Sequence, residues 1–422
     1  MIYVPFIWFL FLSLYYLKKD GISLSAYVSF LFTITSACSV MMSYSGMIEA
    51  NIVKTITIVP TLVYCILITL AIIPIHKYYY KNTSIKFNDK VLDYFTYFFF
   101  AYFLFIVAFL REELIVRTAA ANIVDLKDEI YKGDSFDPRT SLGNLWPIMA
   151  LFLVFGGFPY IMFPIFFIKI IKGNRKWWYY LMAFLGTTPI VLVGMLNIDR
   201  SSTIKWFFIL GFNTVLFWQY MSKSAKKIVV PIIAFVIVVI GAYLTISTVV
   251  RFEDSENGIT GSIIEYAGQP FPNFCNFYTN FDNHEGLNTK YLLPATHHYI
   301  IGDYESNTLR QAELTRKSGM TCGVFYTFLG TFILDSNQIG PFLFMIIYYI
   351  LFYVCMKRRR LSNNLRFSDF FGSYALFLIP TFGCISYLYA DPGSTTCFFL
   401  YLIVILFLTK QKGYNSFISN AR

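Results

Sequence analysis

Long apolar runs, separated by short polar connections, recur along the whole 422-residue chain. A helix needs about 20 mainly apolar residues to cross the hydrocarbon core of a bilayer, so runs of this length predict transmembrane helices. Eleven segments are predicted, at residues 2–17, 23–42, 55–75, 91–110, 145–171, 177–198, 203–221, 228–248, 339–356, 370–390 and 395–409. The pattern therefore predicts an all-α polytopic membrane protein with about 11 transmembrane helices.

The composition is that of a protein whose solvent is the bilayer. Hydrophobic residues make up 57% of the chain and aromatic residues 20%, and the mean hydropathy is +0.57. A soluble fold would leave too much of this apolar surface in water. The first segment ends at Lys18 and Lys19 without a small-residue cleavage site, so we interpret it as a retained helix. Residues 1–422 are predicted to form a single integral membrane domain.

Basic residues are distributed unevenly between alternate connections. The connections after the odd-numbered segments hold most of the 34 lysine and arginine residues and few of the 24 acidic residues. Because cytoplasmic loops collect Lys and Arg, this predicts an N-terminus outside and a C-terminus inside. The net charge of +10 is then mainly a topological signal, with attraction to anionic inner-leaflet lipids as a secondary effect. It gives no reason to invoke nucleic acid.

Two predicted outer connections are long enough to carry function, a first outer loop at 111–144 and a large outer loop at 249–338. Apolar residues of the first outer loop follow one helical face, at Ile115, Ala119, Ile123, Leu126 and Ile130. This spacing predicts an interfacial amphipathic helix. A helix that merely caps the bundle and a lid that guides a lipid or glycan are both compatible with it.

The large outer loop is rich in aromatic and amide side chains, with the stretch EYAGQPFPNFCNFYTNFDN at residues 265–283. Aromatic rings offer flat apolar faces to sugars, while Asn, Gln and Tyr exchange hydrogen bonds with hydroxyl groups. Candidate glycan-binding residues are therefore Tyr266, Gln269 and Asn273. The alternative is ordinary packing of a compact loop in which Pro270 and Pro272 fix turns.

Arginine side chains beside the predicted outer leaflet are candidate pyrophosphate ligands, because guanidinium groups pair with phosphate oxygens. Arg200 lies directly before a predicted helix, where unpaired N–H groups add to its charge, and its alternative partner is Asp199. Arg251 follows the eighth segment, and the acids after it are its alternative partners. Arg310 and Arg316 are the next candidates, with solvated helix charges as the simpler explanation.

Two adjacent histidines, His297 and His298, lie in the large outer loop. Histidine is suited to proton transfer near neutral pH, so either is a candidate base for an acceptor hydroxyl. A surface or structural histidine pair is the alternative. The sequence does not rank the possible substitutes, which are Glu265, Asp303, Glu313 and Asp335.

Other common chemistries find no support in the sequence. No Cys and His spacing typical of zinc occurs, and the P-loop, H-E-x-x-H, G-x-S-x-G and D-x-D motifs are absent. Neither a metal nor another cofactor is therefore expected. Cys275 and Cys322 both fall in the large outer loop and are compatible with a disulfide or with two free thiols.

Three stretches resemble the Wzy-type polymerases of O-antigen and capsule repeat units. Arg200 and Gly211 match the R-x10-G pattern of an outer loop in that family. GSIIEYAGQPFPNF at 261–274 and YTFLGTFILDSNQIG at 326–340 are similar to its loop sequences and loop-to-helix passage. The resemblance covers nearly the full length, through many spans, short inner loops and two dominant outer loops. The companion H-x10-G pattern is missing, since no histidine of the large outer loop precedes a glycine by eleven residues.

The resemblance implies a GT-C-like helical architecture and a metal-independent glycosyltransferase in the bacterial inner membrane. The implied reaction transfers a growing glycan from undecaprenyl pyrophosphate to a hydroxyl of the next lipid-linked repeat, at the outer face, for lipopolysaccharide, capsule or exopolysaccharide. Implied partners are the undecaprenyl-pyrophosphate-linked oligosaccharide, membrane lipid and, optionally, a chain-length regulator. The alternatives are a flippase or transporter of the lipid-linked oligosaccharide, an O-antigen ligase and a membrane acyltransferase.

Overall fold

The structure, a computed structural model, describes residues 1–77, 84–118, 138–173, 175–197, 199–252, 258–282, 288–303, 307–361, 364–410 and 416–418. It is almost entirely helical. The helices are α1 Tyr3–Asp20, α2 Leu24–Tyr44, α3 Ala50–Thr55, α4 Ile58–Lys77, α5 Asp89–Phe109, α6 Arg111–Thr118, α7 Pro138–Leu142, α8 Trp146–Gly156, α9 Met162–Lys172, α10 Trp177–Leu185, α11 Pro189–Leu196, α12 Arg200–Phe217, α13 Lys223–Phe252, α14 Gly258–Gly268, α15 Pro270–Asn280, α16 Pro294–Thr296, α17 Asn307–Ser318, α18 Thr327–Ser336, α19 Gly340–Leu361, α20 Phe367–Phe382 and α21 Pro392–Lys410. The strands are β1 Ser84–Phe87, β2 Asn364–Arg366 and β3 Ser416–Ile418.

Each of the eleven predicted segments contains helix in the described residues, although the segment at 370–390 is helical only as far as Phe382. The helical stretches long and apolar enough to cross a membrane are Leu24–Tyr44, Ile58–Lys77, Asp89–Phe109, Trp177–Leu196 and Thr327–Lys357. A sixth span results if the bent pair Arg139–Gly156 and Pro159–Lys172 is counted as one. Within the described residues these helices confirm the prediction of a helical membrane protein, whereas the count of about 11 crossings stays a prediction.

Two predicted segments are interrupted by residues that do not continue a helix. The segment at 145–171 consists of α8 and α9, which are bent by 62° at Gly157 and Phe158, before a 3-10 turn that begins at Pro159. The segment at 177–198 consists of α10 and α11, and α11 begins at Pro189. Proline lacks the N–H that a continuing helix needs, so it breaks the helix without making the segment polar.

The chain divides into two compact units, of which unit 1 comprises Met1–Lys81, Thr260–Ser362 and Asp369–Thr396. Its first two helices, α1 and α2, pack along each other after a turn at Gly21, whose φ is 69°. Ser23 caps α2, because its hydroxyl accepts the N–H of Ala26 at 3.3 Å. Helix α15 packs against α2, α3, α4 and α18.

The aromatic stretch of the large outer loop is helical and buried in unit 1. Phe271, Phe274 and Phe277 of α15 are each at most 1% exposed. The rings of Phe271 and Phe274 lie 5.0 and 5.3 Å from the ring of Tyr64 in α4. Pro270 is the first residue of α15, where its missing N–H costs nothing, so it starts a helix instead of fixing a turn. These three rings therefore belong to the core.

Unit 2 comprises Asn82–Ile259, Asn363–Ser368 and Cys397–Arg422. Its strand β1 lies between β2, to which it is parallel, and β3, to which it is antiparallel. The apolar pattern does not predict these strands, because three or four residues are too few to show an alternating period. An ion-pair cluster joins α5 and α9, where Nζ of the fully buried Lys169 lies 2.6 Å from Oδ1 of Asp93 and 3.3 Å from Oδ1 of Asp89.

Helix α6 covers the start of the predicted amphipathic helix. Ile115, on its predicted apolar face, is 67% exposed. Arg117 donates to the carbonyl of Leu196 at 3.2 Å and pairs with Glu113 at 3.4 Å. The rest of that prediction, beyond residue 118, falls outside the described residues.

Candidate functional site

In unit 1, an imidazole lies within hydrogen-bond distance of a hydroxyl on one side and a carboxylate on the other. Nδ1 of His297 lies 2.8 Å from Oδ1 of Asp303, and Nε2 lies 3.0 Å from Oγ1 of Thr289. We assign the ring proton to Nδ1, where the carboxylate accepts it, so Nε2 accepts the hydrogen bond of the Thr289 hydroxyl. His297 is 9% exposed, whereas Thr289 and Asp303 are exposed. The imidazole is therefore fixed in place beside groups that a substrate can reach.

A tight turn brings His297 and Asp303 together. Pro294 begins α16, and His297–Ile301 form one π-helical turn, a conformation often found at functional sites. Gly302 follows with a φ of 79°, and its N–H donates to the carbonyl of His297 at 2.8 Å. Because a side chain is strained at this φ, glycine suits the position. Asp303 follows Gly302 directly, and this places its carboxylate beside the His297 ring.

Lys290 adds a positive charge to this group. Its Nζ lies 3.5 Å from Oδ2 of Asp303. The hydrogen bond from His297 lowers the pKa of Asp303, desolvation opposes this effect, and the Lys290 ammonium strengthens it. Asp303 is therefore ionised at neutral pH, as a carboxylate that orients an imidazole must be. We call Thr289, Lys290, His297 and Asp303 the His297 cluster.

A buried ion pair supports the turn that carries the His297 cluster. Oδ1 of Asp335 lies 2.8 Å from Nη2 of Arg310, and the two residues are 2% and 5% exposed. The same carboxylate accepts the backbone N–H of Tyr291 and of Leu292 at 2.9–3.0 Å. Arg310 also donates to Oδ1 of Asn288 at 3.0 Å and lies 4.0 Å from the centre of the Tyr291 ring.

The residues held by the buried pair lie on both sides of the residues that contact His297 and Asp303. Asn288 is held further by Ser336, whose hydroxyl donates to the Asn288 carbonyl at 2.9 Å. Between Asn288 and Tyr291 lie Thr289 and Lys290, the two residues that contact His297 and Asp303. The buried Arg310–Asp335 pair therefore immobilises the backbone on both sides of the residues that complete the site.

The geometry of the His297 cluster is that of an oriented general base. A carboxylate on Nδ1 stabilises the imidazolium that forms when Nε2 takes a proton from a hydroxyl. Thr289 Oγ1 occupies the position that an incoming hydroxyl must reach. In the described part of the chain, no group of His, Cys, Asp and Glu side chains is arranged to hold a metal ion.

No family model, curated protein or solved structure matches this chain. The candidate site therefore stands on its own geometry.

The two predicted histidines differ in their environment. His298 is exposed, and its ring lies 4.4 Å from the ring of Tyr299. His297 contacts Asp303 and Thr289. Asp303, weighed from the sequence as a substitute base, lies on the opposite ring nitrogen from the hydroxyl and is placed to orient His297 instead.

The predicted phosphate ligands lie in three settings. Arg310 is paired with Asp335 beneath the site, and Arg316 is exposed on the same helix, α17. Arg200 is the first residue of α12, and Arg251 is the penultimate residue of α13. The side chains of Arg200 and Arg251 fall outside the described part of the chain. Phosphate binding by all four stays a prediction.

The start of α12 already holds a carboxylate. Oδ1 of Asp199 accepts the N–H of Ser201 at 2.9 Å, and the Ser202 hydroxyl donates to Oδ2 at 2.6 Å. Burial opposes ionisation of Asp199, but the Lys205 ammonium and these hydrogen bonds lower its pKa overall. A phosphate bound at this helix start would therefore compete with the anionic Asp199 cap.

Of the predicted glycan-binding residues, Tyr266 lies in α14, Asn273 in α15 and Gln269 between the two helices. The Asn273 side chain is 9% exposed and donates to the carbonyl of Phe325 at 2.9 Å. The Tyr266 ring lies 5.8 Å from the Phe325 ring, and Gln269 donates to Glu265 at 3.3 Å. Asn273 and Tyr266 thus hold the segment around Phe325, while glycan binding by the three residues stays a prediction.

Proposed function

We propose that this protein polymerises lipid-linked oligosaccharide repeat units, with His297 as the general base for the acceptor hydroxyl. The observation that carries the proposal is the His297 imidazole held between an ionised carboxylate and a hydroxyl. Helices long and apolar enough to cross a bilayer support a substrate that is itself held in the membrane. The Wzy-like stretches of the sequence supply the class of substrate.

In the proposed reaction, Nε2 of His297 takes the proton of the acceptor hydroxyl while that oxygen bonds to the anomeric carbon of the donor glycan. The bond from the anomeric carbon to undecaprenyl pyrophosphate breaks, and the pyrophosphate leaves with the electron pair. Asp303 stabilises the imidazolium that results. Within the His297 cluster, Lys290 is the proposed cationic group for the developing charge on pyrophosphate. Alignment of two membrane-held reactants contributes the remaining part of catalysis.

The proposal includes a location. We infer an inner-membrane protein of about 11 spans with the His297 cluster on the outer face, the N-terminus outside and the C-terminus inside. The charge asymmetry of the connections supports this orientation. A chain-length regulator is an optional partner of such a polymerase.

Three alternatives remain: a flippase or transporter, an O-antigen ligase and a membrane acyltransferase. A flippase needs no base, so the oriented His297 favours an enzyme over a transporter. An O-antigen ligase shares the donor and the architecture and differs only in its acceptor. The Thr289–His297 contact of 3.0 Å also suits a threonine nucleophile, as an acyltransferase with a covalent intermediate would require.

A gel of surface polysaccharide, resolved to single repeats, tests the proposal in cells that lack this gene. Wild-type protein should restore a ladder, and His297→Gln should leave core plus one repeat. The matched control is His298→Gln, the exposed neighbouring histidine, which should restore the ladder. Membrane levels of each variant are measured alongside, so that loss of protein is not mistaken for loss of activity.

The outcomes of this experiment test the base assignment and distinguish two of the alternatives. A full ladder from His297→Gln would refute the base assignment. Loss of even the single repeat, with lipid-linked units retained inside, would indicate a flippase. Thr289→Val keeps the size of Thr289 but removes its hydroxyl. If the acceptor hydroxyl takes the place of the Thr289 hydroxyl during the reaction, this variant should retain the ladder. If Thr289 is a nucleophile, the variant should abolish the ladder.

A further inference from the structure

Unit 1 has an apolar groove of about 480 Å³ along α1. The groove is lined by Val4, Ile7, Trp8, Phe11, Leu12, Tyr15 and, from α4, Thr69. Its side chains are exposed to a large extent, with Phe11 68% and Tyr15 54% accessible. Trp8 Nε1 donates to Thr69 Oγ1 at 2.9 Å, so these two polar groups satisfy each other, and the third polar group of the lining, the Tyr15 hydroxyl, contacts Lys19 at one end of the groove.

The length of the groove matches one leaflet of a bilayer. A rise of about 1.5 Å per residue gives roughly 16 Å between Val4 and Tyr15. Half of a hydrocarbon core that is about 30 Å thick is roughly 15 Å. A single acyl chain that enters from the membrane surface therefore extends along most of the groove.

One end of the groove carries positive charge. Nζ of Lys19 lies 3.2 Å from the Tyr15 hydroxyl and 5.4 Å from the centre of the Tyr15 ring. Lys18, next to it, is exposed. The nearby acid, Asp20, is paired with Nδ1 of His76 at 3.0 Å, and Nε2 of the same imidazole lies 3.2 Å from Nζ of Lys19. An anionic head group at this end would meet two ammonium groups, with the neighbouring carboxylate already engaged.

We propose that this groove binds an anionic phospholipid, with one acyl chain between Val4 and Tyr15 and its phosphate at Lys18 and Lys19. The acyl chain alone gives little selectivity between lipids, because the tails of all bilayer lipids are as apolar as the groove. The head group must therefore decide which lipid binds. A surface lysine favours anionic lipid by about fivefold at low salt, and the preference falls as salt screens the charges. The proposal is independent of the glycan chemistry at His297.

Quenching of Trp8 fluorescence by lipids brominated on their acyl chains tests the proposal on the purified full-length protein. The protein is reconstituted in vesicles of phosphatidylcholine that contain a small fraction of brominated phosphatidylglycerol or brominated phosphatidylcholine. The chain has six tryptophans, so the signal of Trp8 is the difference between wild type and Trp8→Phe. We expect Trp8 to be quenched at a severalfold lower fraction of the anionic lipid than of the zwitterionic lipid.

Two variants separate the head-group and chain contributions. Lys18→Gln with Lys19→Gln should abolish the anionic preference, and Leu12→Phe, which fills the groove, should weaken quenching by both lipids. The matched control is Lys54→Gln, an exposed lysine of α3 away from the groove, which should behave like wild type. If the double variant does not insert into the vesicles, a salt titration of the wild-type protein takes its place. High salt should then remove the preference for the anionic lipid. Equal quenching by both lipids in wild type would mean ordinary boundary lipid and would overturn the proposal.

Discussion

At the scale of single residues, the two members of the buried Arg310–Asp335 pair should contribute unequally to stability. Arg310→Met leaves Asp335 with the N–H groups of Tyr291 and Leu292 as donors. Asp335→Leu instead removes the acceptor of the N–H groups of Tyr291 and Leu292 and the carboxylate partner of the buried Arg310 guanidinium, which keeps its hydrogen bond to Asn288. Loss of one partner of a buried pair costs about 3–5 kcal/mol, and each orphaned N–H adds roughly 1–3 kcal/mol. We therefore predict that Asp335→Leu destabilises the protein more than Arg310→Met.

Thermal unfolding in mild detergent measures this difference. Cys65 and Cys275 are buried thiols, so a thiol-reactive dye reports their exposure as unit 1 unfolds. Arg316→Met, on the same helix as Arg310 but exposed, should change the midpoint little. Equal shifts for Arg310→Met and Asp335→Leu would contradict the view that Asp335 holds the turn through its backbone donors.

Chemical type alone made His297 and His298 candidate bases, and the sequence did not reveal the partners of His297. Thr289 and Lys290 belong to no motif, and they reach His297 and Asp303 only because the backbone beside them is held by Asp335, 44 positions along the chain from Tyr291. Arg310 was a candidate for phosphate because exposed and buried arginines look alike in a sequence. Its pairing with Asp335 depends on how α17 and α18 meet, and such tertiary pairing is not encoded in local spacing.

At the scale of helices, the sequence predicted where apolar helices occur better than it predicted the large outer loop. Periodic aromatic positions at Phe271, Phe274 and Phe277 lie on one face of α15, and the same pattern was available from the sequence. Pro270 obscured it, since proline marks turns as well as helix starts. The sequence did not predict breaks such as the 62° bend before Pro159, because a continuous apolar run does not show whether the helix that it forms is straight or bent.

Close packing of α14 against α2 should make Gly268 intolerant of a side chain. A Cβ atom at Gly268 would lie 2.5 Å from Sδ of Met42 and 2.7–2.8 Å from the carbonyl group of Cys38. The Ser39 hydroxyl also donates to the Gly268 carbonyl at 2.6 Å, so the helices cannot separate without loss of that bond. We predict that Gly268→Ala destabilises the protein by about 1–3 kcal/mol.

The matched control for Gly268→Ala is Gly241→Ala in α13. A Cβ atom at Gly241 would meet no atom within 4 Å, and alanine favours a helix by about 1 kcal/mol over glycine. The same thermal assay should therefore show a lower midpoint for Gly268→Ala and an unchanged or higher midpoint for Gly241→Ala. A midpoint for Gly268→Ala as high as that of wild type would mean that α14 and α2 do not approach closely in the membrane.

At the scale of the whole molecule, the direction of each crossing follows from charge rather than from packing. Lys77 ends α4, and Lys357 lies near the end of α19, whereas the His297 cluster lies in the chain between these helices. Because Lys and Arg are retained in the cytoplasm, the connections after α4 and α19 should lie inside. The base proposed for a reaction at the outer face should then lie outside.

Reporter fusions test this orientation in cells. A periplasm-dependent phosphatase inserted after Asp303 should be active, and the same reporter inserted after Lys77 or after Lys357 should be inactive. A fluorescent protein that folds only in the cytoplasm should give the opposite result at each site, which controls for failed expression. The reverse pattern would place His297 at the inner face, where a polymerase of exported repeats has no substrate, and would refute the proposed function without affecting the helical fold. Adding positive charge beside Asp303 should lower the phosphatase signal, because orientation is set by the balance of Lys and Arg across the membrane.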